Sequence, residues 1–82
     1  SFRKAFSELP APVQRQVREA YRLFQDNPHH PGLWFKQVHP SRPIYSVRIG
    51  LHYRALGVRD GDVMVWFWVG SHEQYDRLVM GL

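Results

Sequence analysis

A chain of 82 residues without a cysteine leaves room for one domain and excludes both a disulfide scaffold and a thiolate zinc site. Eleven Lys and Arg against seven Asp and Glu give a net charge of +4, which favours nucleic acid or an acidic protein as partner over a neutral small molecule. No signal peptide is read, and the longest apolar run, Val63 to Val69, is far too short to cross a bilayer; no membrane partner is expected, and the reducing cytoplasm is the expected compartment.

The first half reads as helix. Phe2, Ala5, Phe6 and Leu9 are spaced for a short first helix. Pro10 and Pro12 mark the start of a second, because proline is tolerated in a first turn and not inside. Val13, Val17, Ala20, Tyr21 and Phe24 then recur at helical spacing as one apolar stripe, while Arg15, Arg18 and Arg22 fall outside it as a basic ridge, best read as a solvated face. The hairpin of helices ends near Asn27-Pro28. His29-His30-Pro31-Gly32 is a loop; adjacent histidines seldom point at a common ion, and no third ligand stands at useful spacing, so no metal is expected.

The second half reads as strand. Leu33 to Val38 alternates Leu33, Phe35 and Gln37 against Trp34, Lys36 and Val38. A proline-stiffened connection through Arg42 leads to Ile44–Ile49, which sets Tyr45, Val47 and Ile49 on one face and Ser46 and Arg48 on the other. The chain turns near Gly50 to His52 and returns over Tyr53 to Arg59. It turns again at Asp60-Gly61-Asp62, which suits a tight hairpin, and continues over Val63 to Val69. That last run is apolar on both parities, as expected of a strand covered on both sides. Trp66 and Trp68 then share a face with Met64 and are expected in the core. Ser71 is a plausible cap for a final helix bearing His72 and Tyr75.

Turn length decides where the strand arginines go. Two residues in the first turn set Arg48 opposite Tyr53 and send Arg54 to the other face; three set Arg48 directly across from Arg54. Facing arginines repel and are seldom placed so without an anion to bind. Arginines, one histidine and one tyrosine without a carboxylate cluster suit a phosphodiester handled without metal or other cofactor. Guanidinium meets phosphate oxygens bidentately, and an imidazole titrates near pH about 6.5, where it can accept or donate a proton. Each of these residues also has a plainer reading: Arg54 as an exposed strand residue, His72 in a helix cap, Tyr75 in packing.

The order of helical hairpin, N-P-x-x-P-x-L loop, F-K strand, I-Y-S-V-R-I, Y-R-A-L and W-F-W-V-G-S-H-E-Q-Y-D-R-L resembles the RelE/ParE superfamily of toxins from bacterial type II toxin–antitoxin systems. The resemblance covers nearly the whole length. It implies an α+β fold, a helical hairpin packed on a small antiparallel sheet; the family's N-terminal strand is missing, truncated or outside this numbering, and its absence would leave a sheet edge unpaired. It also implies a metal-independent endoribonuclease that cuts mRNA in the ribosomal A site and is neutralised by a cognate antitoxin. The alternatives it carries are a ParE-like poison of DNA gyrase and a non-toxic, antitoxin-binding relic of the fold. By the same resemblance Arg54 matches the arginine near the scissile phosphate and Arg48 a basic position in the preceding strand. His72 matches a position that is basic in the ribonuclease branch, and Tyr75 lies close to a C-terminal tyrosine or histidine. Lys36, Arg42 and Ser46 complete the expected RNA-binding surface. Ser46 departs from the pattern, since the best-studied ribonucleases of the family carry lysine there, and this thins the basic cluster.

Overall fold

A computed structural model describes residues Ser1–Leu82. Helix α1 (Phe2–Ser7) opens under the Ser1 hydroxyl, which accepts from the Lys4 N–H. Helix α2 (Ala11–Asp26) starts at the two prolines and buries Val13, Val17 and Ala20, three residues of the apolar stripe. Tyr21 lies at the margin of the stripe and is half exposed. The helices are joined by the Gln14 side-chain amide, which donates to the Phe6 carbonyl across 3.0 Å. Arg15, Arg18 and Arg22 face solvent, with the Arg18 guanidinium 5.2 Å above the Phe6 ring.

Four antiparallel strands follow in the simple order β1 (Lys36–Gln37), β2 (Ile44–Ile49), β3 (Tyr53–Asp60) and β4 (Val63–Ser71). Side-chain alternation divides the core between the two sheet faces. One face sends Val47, Ile49, Ala55 and Val69 against the α2 stripe and Leu33. The other sends Ile44 and Leu56 against Tyr75 of the last helix, α3 (His72–Met80), with Trp68 and Val79 alongside. The architecture is therefore the expected α+β arrangement, with the helical hairpin on one face and a third helix on the opposite one.

Three sequence expectations need correction. The first strand is two residues long, because Pro31–Leu33 winds into a 3₁₀ turn and Trp34 takes a left-handed conformation, φ 47° and ψ 45°, before pairing begins. The final strand is not covered on both sides: Val63, Val65 and Phe67 are exposed, since α3 reaches only its distal end and no strand pairs with its outer flank. Trp66 and Trp68 do not share a face. Leu56 pairs with Trp68 and Gly57 with Trp66, so Phe67 is an extra, bulged residue and parity flips across it. Trp66 consequently packs edge-on against Phe24 at 5.2 Å on the α2 face, while Trp68 joins the core beneath α3.

Glycine at position 70 is demanded by this arrangement. A Cβ there would overlap the Trp68 ring and stand 2.6 Å from the Gln74 side-chain oxygen, which is part of the α3 cap. Gly70→Ala is therefore expected to destabilise the protein by about 1–3 kcal/mol, the usual cost of overpacking. Urea denaturation checks this; an unchanged midpoint refutes the packing account.

Candidate functional site

The β2–β3 hairpin reverses through Gly50, Leu51 and His52, with Gly50 at φ 59°. Three turn residues fix the register that pairs Arg48 with Arg54, and their Cα atoms accordingly lie about 4.5–5.5 Å apart. Both side chains leave the sheet on the α3 side, the side of Ser46 and Leu56. Arg48 donates through Nε to the Gly50 carbonyl at 2.9 Å, and its guanidinium carbon stands 4.7 Å over the Trp34 ring. Arg54 donates through Nη1 to the Tyr53 carbonyl at 3.1 Å. Neither guanidinium meets a carboxylate, since the one ion pair in the molecule joins His72 to Asp76. Burial first, and the Arg48 charge second, hold Arg54 below its ordinary range, while Tyr75 and Asp76 pull the other way.

Helix α3 delivers the histidine. Ser71 and Gln74 form a capping box: Ser71 Oγ accepts from the Gln74 N–H at 3.2 Å, and Gln74 Oε1 accepts from the Ser71 N–H at 3.0 Å. The His72 N–H then donates to the His52 carbonyl at 2.7 Å, tying the helix start to the β2–β3 turn. His52, Arg54, Ser71 and His72 thereby line one open cleft. One turn into α3, Asp76 Oδ2 is 3.3 Å from His72 Nδ1. That contact sets a carboxylate beside one ring nitrogen of His72, with the other nitrogen on the far side of the ring.

The structure thus pairs Arg48 with Arg54 and sets Arg54 and His72 on one cleft. Tyr75 is buried beneath it, 8% exposed, and its hydroxyl donates to Ser46 Oγ at 3.3 Å. Ser46, expected to touch RNA, is 1% exposed and serves as that hydroxyl's acceptor, so it supports the site from below rather than contacting a ligand. Lys36 is exposed on the same sheet face, opposite Ser46. Arg42 lies before β2, in the turn at the end of the strand away from Arg48, and does not line the cleft. Two residues of the site were not singled out from sequence: Asp76, although the His72/Asp76 spacing of four is a helical contact signal, and Trp34.

An anion between the arginines would relieve both their repulsion and the desolvation of Arg54. Removing that like charge is worth about 0.2–1 kcal/mol, so Arg54→Gln should melt at or above the wild-type temperature in low salt. Phosphate, compared with chloride at equal ionic strength, should raise the wild-type Tm more than that of the variant, because only the former retains the complete site. Equal responses would remove the anion-site assignment.

A family model described as the ParE-like toxin domain matches residues 11–77. No curated protein sequence matches the chain. Among solved structures, a chain of the RelB–RelE antitoxin–toxin complex from Methanococcus jannaschii is similar in fold. Its TM-score is 0.73 at 19% identity, over 93% of this chain and 91% of that one.

Proposed function

The chain belongs to the ParE-like toxin domain family, and we propose that it is the toxin of a type II toxin–antitoxin system. In this reading it cleaves mRNA in the ribosomal A site without metal and is held inactive by a cognate antitoxin. The observation that carries the proposal is the cross-strand pair Arg48–Arg54, two arginines opposite each other on one sheet face with no carboxylate in ion-pair contact, and His72, which lines one cleft with Arg54 and stands beside Asp76. The antitoxin part is supported by the similar fold having been crystallised as an antitoxin–toxin complex.

The chemistry follows from these groups. His72 Nε2 takes the proton of a ribose 2′-hydroxyl, and the Asp76 carboxylate, 3.3 Å from Nδ1, faces the imidazolium that forms. The 2′-oxygen attacks the adjacent phosphorus and the bond to the 5′-oxygen breaks, giving a 2′,3′-cyclic phosphate and a 5′-hydroxyl. Arg48 and Arg54 face the non-bridging oxygens, whose charge grows in the pentavalent state. With the Tyr75 hydroxyl committed to Ser46, the departing oxygen takes its proton from water in the open cleft. Tyr75 then acts by positioning α3 beside the cleft.

Inducing the chain alone should arrest growth and create new mRNA 5′ ends; arrest without new ends would reject the reading. Arg54→Ala should lower cleavage about 10²–10³-fold and His72→Ala about 10²–10⁴-fold, with little change in Tm. The family's ParE-like description favours one second reading, inhibition of DNA gyrase. Loss of supercoiling activity in a purified gyrase assay, unaffected by Arg54→Ala, would select it.

A further inference from the structure

Trp34 is the one non-glycine residue with positive φ, a conformation that costs a bulky side chain energy and that Gly or Asn would enter more readily. Its neighbours impose it. Leu33, 1% exposed, and Phe35, stacked on Tyr45 at 4.9 Å and tilted against Phe24 at 5.0 Å, both enter the α2-facing core. The residue between them is thrown to the opposite side, out of the core. There Trp34 is 57% exposed, and one face of its indole is covered by the Arg48 guanidinium at 4.7 Å. A tryptophan held in a strained conformation, open to solvent and touching half of the arginine pair gains nothing for the hydrophobic core. Strain retained at such a position is a mark of function.

We propose that Trp34 is the stacking platform for a nucleobase of the RNA substrate, the base flanking the phosphate gripped by Arg48 and Arg54; this rests on the ribonuclease reading above. The indole supplies a flat face that accepts any base, and Arg48 bridges it to the phosphate, so one contact orients base and backbone together. Trp34 is thus a substrate-positioning residue, and recognition through it is tolerant of base identity.

The test is single-turnover cleavage of mRNA on programmed ribosomes, using wild type, Trp34→Phe, Trp34→Ala and Trp34→Gly. Each acts on a normal message and on one with an abasic nucleotide flanking the scissile bond. Trp34→Ala should lower the rate on the normal message about 5- to 160-fold, the range for one stacked base, while Trp34→Phe stays within about 3-fold. The abasic message should slow wild type by a similar factor and leave Trp34→Ala no slower than before, because both changes remove the same contact. Trp34→Gly relieves the positive-φ strain and should melt no lower than wild type. Independent, multiplying losses for protein and message would overturn the proposal, as would a fall in Tm that parallels the loss of rate. Equal cleavage by wild type and Trp34→Ala overturns the stacking role alone. No cleavage by wild type overturns it together with the ribonuclease reading.

Discussion

Between Ile49 and Tyr53 the chain has three residues in which to reverse, and side-chain parity along both flanking strands follows from that count. Shortening the reversal by one would send Arg54 into the apolar face beneath α2 and bring Tyr53 beside Arg48. The same turn offers the His52 carbonyl to the first N–H of α3, so the hairpin that pairs the arginines also places the histidine. The arginine pair, the position of His72 and the strand register are thus set by one short loop. The capping box at Ser71 and Gln74 makes the arrangement rigid from the other side.

Electrostatically the molecule is left open. Its basic residues outnumber the acidic ones, and the only ion pair is spent on His72 rather than on the arginines. Arg54 bears a desolvation cost that a surface cation avoids, and nothing inside the protein compensates it in full. A preorganised, uncompensated positive pair is what a developing phosphate charge needs, because no dipole has to reorient as the charge appears. Around this pair the protein places hydrogen bonds to backbone carbonyls and one aromatic ring, which hold the guanidinium groups without neutralising them.

Much of this was legible in the sequence, and what was not has specific physical causes. The helical stripe from Val13, the proline-marked helix start and the β2 and β3 strands all follow from local pattern. The arginine register was reduced to two alternatives by counting turn residues, and tertiary packing chose between them. The bulge at Phe67 left no trace because V-M-V-W-F-W-V is apolar on both parities, so a slipped residue breaks no alternation. Ser46 reads as a solvent-facing polar residue; its burial depends on Tyr75, 29 positions away. The abbreviated first strand reflects Trp34, whose left-handed backbone is imposed by the core residues on either side of it rather than by its own preference. Asp76 was readable as the helical partner of His72, but only once the helix itself was granted.

The edge position of β4 has a colloidal consequence. No further strand pairs with it, α1 packs beside it from the N-terminal side, Val63 and Val65 are exposed, and none of its side chains is a lysine, a carboxylate or a proline that would repel a second strand. What keeps free molecules apart is their shared positive charge, a repulsion that reaches about 10 Å at 0.1 M salt and about 3 Å at 1 M. Concentrated brine, which helps many proteins stay dispersed during purification, should make this one adhesive.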